Sequence, residues 1–302
     1  MACFAPLRGY RSLQRNEAGK REIVFSYRKG YHDLPIELPC GQCIGCRMEK
    51  TRQWAMRCMH EASMYERNVF ITLTYDELHL PRYGSLRKED FQLFMKRLRK
   101  EIAPERVRFF HSGEYGSDTM RPHYHALLFG YDFADKLQWS VRGKYPVYRS
   151  AQLERLWGLG HSELGVVSFD SAAYVAKYCI KKLNGQEAEE RYVRLDTETG
   201  VLVPVEAEYA TMSRRPGIGA AFYARHGETI HRHDSVVMNG QEMKPPKFYD
   251  SLAEVERPDA LRLAKARRRS GVDLEEQAPH RLTVREIVAT AKFNLYGKDG
   301  DL

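Results

Sequence analysis

The sequence predicts an α+β fold: a mostly antiparallel sheet with helices packed against it. Three observations lead there. Stretches of β-branched and aromatic residues and stretches with apolar residues at spacings of three and four follow one another irregularly, without the strict βαβ alternation of a parallel sheet. Hydrophobic residues make up 43% and charged residues 29%, the proportions of a chain that buries a core. No repeat of about 20–50 residues is visible, which excludes solenoids and propellers. At 302 residues the chain has room for one large domain or two small ones.

The elements follow in order. Residues 1–46 read as irregular and rich in Gly, Pro and Cys. From Arg47 to about Arg67 the recurrence of Trp54, Ala55, Cys58, Met59 and Ala62 predicts a helix. Asn68–Tyr75 reads as a strand. Ser85 is a candidate N-cap for a helix over about 86–102, buried through Phe91, Phe94, Met95, Leu98 and Ile102 and stopped by Pro104. Val107 to about His111 and His123 to Phe129 read as two further strands. A helix near 150–157 and a strand over Leu164–Phe169 come next. Then a helix spans about 171–183, capped by Asp170 or Ser171 and followed by Gly185. The acidic stretch 186–210 suggests a hairpin insertion, Arg191–Leu195 and Val201–Glu206 around Thr-Glu-Thr-Gly. Asn239-Gly240 marks a second hairpin between Ser235–Met238 and Gln241–Lys244. The last ~50 residues read as helical, with a basic run Lys265-Ala-Arg-Arg-Arg269.

Lys and Arg number 48 against 40 Asp and Glu, a formal charge of +8. That excess favours an anionic partner without choosing among DNA, RNA and an acidic membrane. No apolar run approaches the ~18 residues of a membrane span, so no membrane association is expected. The N-terminus MACFAPLRGYRS lacks the apolar core of a signal peptide, which predicts an unexported protein. In such a protein closely spaced cysteines point to metal or catalysis rather than disulfides.

On a strand, His123 and His125 project to the same face, where two imidazoles can grip one cation, while Tyr124, Ala126 and Leu128 pack on the other. The plain alternative is two half-exposed histidines with local hydrogen bonds. Glu114, at the end of the preceding strand, returns beside the pair if the two strands are antiparallel. His111 competes for the third place. Two imidazoles and a carboxylate suit Mn²⁺ better than the oxygen-preferring Mg²⁺.

At 100° per residue, Tyr174, Lys177, Tyr178 and Lys181 share one arc of the predicted helix, opposite Ala172, Val175, Ala176, Cys179 and Leu183. This is either an ordinary amphipathic helix or a pair of phenols each followed by Lys at +3. A phenol with a pKa near 10 attacks a phosphodiester usefully only when cations offset the phosphate charge and stabilise the phenolate. A basic chain with a His pair and a Tyr-Lys helix fits phosphodiester transesterification.

Cys40-x-x-Cys43-x-x-Cys46 has metal-type spacing but supplies three ligands of the four that close a structural zinc site. Cys3, Cys58 and His60 are candidates for the fourth, and three reduced thiols in a Gly-rich turn is the alternative. An iron–sulfur reading is weaker, because Arg47-Met-Glu-Lys50 does not continue a ferredoxin-type run. Arg214-Arg-Pro-Gly-Ile-Gly219 and Arg267-Arg-Arg269 are candidate phosphate contacts, or merely solvated charge; Arg214 and Arg215 stand next to a loop whose backbone N–H groups could approach a phosphate.

In this order, Leu38–Arg47, Phe70–Asp76, Gly113–Gly116, Arg121–His125, Tyr174–Tyr178 and Ser213–Gly219 resemble the HUH endonuclease superfamily, and within it the replication initiation proteins of gokushovirus-type microviruses. The resemblance implies a central antiparallel sheet of about five strands flanked by helices, with an N-terminal Cys-rich segment and a C-terminal helical and hairpin extension. It implies a rolling-circle nickase. His123, His125 and Glu114 would hold Mg or Mn. Tyr174 and Tyr178 would attack DNA in turn, supported by Lys177 and Lys181. A 5′-phosphotyrosine link and a free 3′-OH would form, and the product circle would be rejoined. The implied partners are single-stranded or supercoiled circular phage DNA at the origin, with a host helicase and polymerase, in the host bacterial cytoplasm. The expected organisation is 1–67, Cys-rich segment and helix; 68–185, nuclease core; 186–249, hairpin insertions and basic Pro-Gly loop; and 250–302, basic helical tail. A relaxase, a single-strand transposase or a non-catalytic DNA-binding protein are the competing readings. No P-loop is present, so the chain is not expected to unwind DNA by its own ATPase.

Overall fold

A computed structural model describes residues 3–17, 19–116, 119–178 and 190–296. The chain divides into two compact units, one formed by the residues up to Lys50 with those from Arg269 onward, the other by Thr51–Arg268. No helix among the described residues is long and apolar enough to cross a membrane.

The larger unit is α+β, and its main sheet is antiparallel throughout. The strands are β4 (Asn68–Thr74), β5 (Arg108–Tyr115), β6 (Pro122–Phe129), β7 (Leu137–Arg142), β8 (Tyr145–Arg149), β9 (Ser162–Gly165) and β12 (Tyr209–Met212). These seven pair in the order β12-β5-β6-β4-β9-β8-β7. The expectation of about five strands is therefore corrected to seven. The hairpin β7–β8 escaped notice because every residue of β7 is exposed, so burial imposes no alternation on it. The strand β12 sits at the end of what reads as an insertion and joins the far edge by pairing with β5. The strand expected over Leu164–Phe169 lies earlier, at Ser162–Gly165.

Both faces of the sheet are covered, which is why β6 is buried along almost its whole length. On one face Val69, Ile71, Leu73, Tyr124, Ala126 and Leu128 meet α2 (Lys88–Glu101) and α3 (Ala151–Trp157) through Phe91, Phe94, Leu98, Leu153 and Trp157. On the other, Phe110, Leu127 and Phe129 meet α1 (Ile44–Ala62) and α4 (Phe169–Tyr178) through Ala55, Cys58, Ala62, Ala172, Val175 and Ala176. The small residues predicted for the packed arc of α4 let it approach the sheet closely. The helix begins earlier than the expected caps require: Ser168 and Ser171 exchange reciprocal bonds, Ser171 N–H to Ser168 Oγ at 3.1 Å and Ser168 N–H to Ser171 Oγ at 2.8 Å. Nor does Ser85 cap α2, which starts after Arg87 without a side-chain cap.

Glu61 on α1 is 1% exposed and sits 2.5 Å from Arg108 Nε on β5. Its other oxygen accepts the Gly219 N–H at 2.7 Å. Replacing it by Ala leaves a guanidinium and a backbone donor facing a cavity. We expect Glu61→Ala to lower the unfolding free energy by about 3 kcal/mol, read from the urea midpoint.

Beyond the sheet, β10 (Val193–Leu195) and β11 (Leu202–Pro204) form the first expected hairpin, and β13 (Val236–Met238) and β14 (Gln241–Met243) the second, turning at Asn239 and Gly240 with φ 50° and 75°. The helices α5 (Ala220–His233), α6 (Lys247–Glu256) and α7 (Pro258–Ser270) share a core of Tyr223, Ile230, Tyr249, Ala253 and Leu261. The basic run on α7 is partly internal. Arg268 bonds Asp234 and Asp250, and Arg267 donates to the carbonyls of His231 and Arg232.

The smaller unit corrects another expectation: residues 1–46 are not simply irregular. β1 (Leu7–Ser12) pairs with both β2 (Ile23–Val24) and β3 (Gly30–Leu38) in an antiparallel sheet, and α8 (Pro279–Tyr296) belongs to the same unit. The strands carry little apolar alternation, and Gly30 occupies a point where a Cβ would lie 2.4 Å from that of Tyr10.

Candidate active site and metal centres

Strand register builds the first site. Glu114 lies directly opposite His123 across β5 and β6, and Thr72 and Thr74 on β4 lie opposite His125 and His123. All project to the face that α4 covers. Glu114 Oε1 stands 2.8 Å from His123 Nε2 and 2.6 Å from His125 Nε2. The three residues place their ligand atoms within 4.8 Å of one another.

The outer nitrogens define which atoms are offered. His123 Nδ1 lies 3.1 Å from the Arg121 carbonyl, which can only accept, so the proton is on Nδ1 and the lone pair of the neutral ring is on Nε2. His125 Nδ1 lies 3.0 Å from Thr72 Oγ1, and Phe70 stacks on its ring with centroids 5.6 Å apart. Such outer partners fix ligand orientation. Neither Thr72 nor Phe70 stands out in the sequence; only the register shows that this stretch of β4 lies beside the histidines.

Burial alone would raise the Glu114 carboxyl, but bonds from His123 and His125 outweigh it and hold the group well below the usual carboxylate range. Burial pushes His125 down, against the pull of Glu114. Two Nε2 atoms thus converge on one carboxylate oxygen, while Glu114 Oε2 is buried with no hydrogen-bond partner among the described residues. A divalent cation resolves both features, since it takes the lone pairs of both rings and the orphan oxygen. The donor set fits such an ion.

Tyr174 completes the cluster. α4 presents it over the sheet, where its O–H donates to Glu114 Oε1 at 3.1 Å and its ring meets His125 edge-on at 4.9 Å. Lys177 follows three residues on and is half-buried. The backbone of Tyr178 ends α4, but its side chain, and all of Lys181, Cys179 and Leu183, lie outside the described residues. His111, the competing ligand, faces the other way: it stacks on Phe91 at 3.4 Å and its Nδ1 lies 2.9 Å from Thr211 Oγ1.

Arg214 and Arg215 are exposed. The loop after them is tied inward, because Gly219 N–H serves Glu61 and the Pro216 and Ile218 carbonyls accept from Arg108 and Arg57 at 2.7 and 3.0 Å.

The second cluster gathers Cys3, Cys40, Cys43 and Cys46, with sulfurs within 4.8 Å of one another. Of the three fourth-ligand candidates, Cys3 joins. Cys58 packs at 0% exposure in the core between helix and sheet. His60 bonds Tyr249 Oη at 2.6 Å and stacks on Phe222, and burial pushes its imidazole down to about 4.

A family model for replication-associated proteins of the ORF2 type matches residues 68–183. The replication-associated protein VP4 of Bdellovibrio phage phiMH2K is 33% identical over 272 residues, covering 86% of this chain and 79% of that protein. Replication-associated protein ORF2 of Spiroplasma virus 4 is 31% identical, covering 98% and 92%. Replication-associated protein ORF4 of Chlamydia phage 1 is 32% identical over a shorter stretch, 51% of this chain and 41% of its own. No solved structure matches. The chain belongs to the phage replication-associated proteins, and within them to the replication initiators of microvirus type.

Proposed function

We propose that the protein starts rolling-circle replication by cutting one strand of the phage origin and later rejoining the product circle. The observation that carries this reading is the convergence of a tyrosine hydroxyl, a carboxylate and two imidazole nitrogens within hydrogen-bond reach. Glu114, His123 and His125 would hold Mg or Mn, which when bound supplies Lewis-acid polarisation of the scissile phosphate. The strands β5, β6 and β4 with α4 then serve as the HUH-type core.

In the proposed step the Tyr174 oxygen forms a bond to phosphorus and the bond from phosphorus to the 3′-oxygen breaks. The phenol proton is taken at Glu114 Oε1, and the departing oxygen gains a proton to become the 3′-OH that a host polymerase extends. The protein keeps the 5′-phosphate as a tyrosine ester, so the bond energy is conserved and rejoining needs no nucleotide. Tyr178 is proposed as the nucleophile of the second cut, with Lys177 and Lys181 stabilising phenolate and phosphate. Arg214 and Arg215 are proposed to contact the strand's phosphates. A cleft beside the site, lined by Phe70, Thr72, Arg142, Tyr145 and Glu163, offers an aromatic ring and a guanidinium to a neighbouring nucleotide. The place of action is the host cytoplasm, with a host helicase opening the duplex.

Incubation with Mn²⁺ and end-labelled single-stranded origin DNA should give a protein–DNA adduct that survives boiling in detergent. Tight DNA binding with no adduct and no cleavage would leave a non-catalytic DNA-binding protein instead.

A further inference from the structure

We propose that Cys3, Cys40, Cys43 and Cys46 bind one zinc ion, and that this ion stands in for the hydrophobic core that the smaller unit lacks. The four sulfurs lie within 4.8 Å of one another, and Cys40 Sγ is 4.0 Å from Cys46 Sγ. Four thiolates at about 2.3 Å from a tetrahedral ion stand about 3.8 Å apart, so small side-chain adjustments close the site. An iron–sulfur cubane holds its thiolates at the outer corners of a much larger body and needs them farther apart than this. The five described cysteines are free thiols, and the 4.0 Å separation is about twice a disulfide bond.

The backbone around the sulfurs is arranged for thiolates. Gln42 and Cys43 N–H donate to Cys40 Sγ at 3.4 and 3.3 Å, Cys40 N–H to Cys3 Sγ at 3.3 Å, and Phe4 N–H to Cys43 Sγ at 3.3 Å. These donors offset the negative charge that four thiolates place around a divalent ion. Gly41, at φ +77°, supplies the left-handed residue that turns the chain so that the next two N–H groups point back to Cys40.

The need for the ion comes from the rest of the unit. Its β1–β3 sheet has mostly exposed side chains. Among its described residues, the buried hydrophobic side chains are Cys3 and Leu282, and none of the three apolar clusters of the chain includes a residue of this unit. A three-stranded sheet with so little apolar burial requires a staple. Cys3 precedes β1 and Cys40 follows β3, so one ion ties together the two ends of that sheet.

The test uses the full chain purified without added metal. Elemental analysis should find one zinc per chain, retained when His123 and His125 are both replaced by Ala. That retention separates this ion from one at the nicking site. Titration of the wild-type chain with an organomercurial should release the zinc as four thiols are consumed. The cobalt-loaded wild-type chain should show the sulfur-to-cobalt charge transfer of a tetrathiolate, weakened in Cys3→Ser. If that variant fails to fold, the mercurial titration and the wild-type cobalt spectrum still decide. Iron in place of zinc, no metal with four freely alkylated thiols, or disulfides seen by mass would each overturn the proposal.

Discussion

Replacing His123 and His125 together by Ala should lower nicking by about a thousandfold, equivalent to about 4 kcal/mol of lost transition-state stabilisation, while DNA affinity changes little. The two effects separate because the histidines converge on a buried carboxylate. The exposed arginines at 214 and 215, proposed to meet the strand, lie on a different segment. Calorimetric titration with Mn²⁺ should lose one binding event in the variant, and gel shifts with origin DNA should remain. Equal loss of binding and cleavage would mean that the histidines grip DNA rather than metal.

The pH dependence follows from the same contacts. A metal requires neutral imidazole and ionised carboxylate. Burial lowers the pKa of His125, so its neutral form persists to lower pH than in a free histidine. Glu114 is held low, so it stays ionised through mildly acidic pH. The sign for both is the same: protonation is resisted in the fold, and the stability these groups contribute is present above their unfolded pKa values and lost as pH falls through the folded ones. Metal-dependent nicking should therefore be steady near neutrality and fall on the acid side, as protons compete for the three ligands.

How much of this was legible in the sequence depends on the range of the interactions. The alternation of His123 and His125 is a property of one strand, and the packed arc of α4 a property of one helix, so both could be read locally. The choice of Glu114 over His111 needed the pairing of β5 with β6; once it is known, residue parity sends Glu114 to the histidine face and His111 toward Phe91. Cys3 could be named as a fourth ligand but not selected, because 36 intervening residues decide where it returns. The exposed β7 and the glycine-containing β1–β3 sheet stayed hidden for the opposite reason. Their strands are held by backbone pairing with little burial, which leaves no hydrophobic period to detect.

Tyr174→Phe should abolish the covalent adduct in single-turnover assays, again by about a thousandfold, with the fold and metal binding intact. The substitution removes the O–H donated to Glu114 but keeps the ring that packs edge-on against His125. The loss of that one bond should cost about 1–2 kcal/mol of stability, too little to unfold a domain of this size. Because Tyr174 Oη already lies 3.1 Å from the carboxylate, it is placed to make the first cut. Tyr178→Phe should then still form an adduct, on the peptide carrying Tyr174, yet fail to release rejoined circles. Digestion of the trapped wild-type adduct followed by mass spectrometry would locate the nucleotide. If it sits on Tyr178, the order of the two nucleophiles is reversed. If both single variants make circles as well as the wild type, the two-tyrosine scheme fails, and a group other than these phenols attacks the DNA.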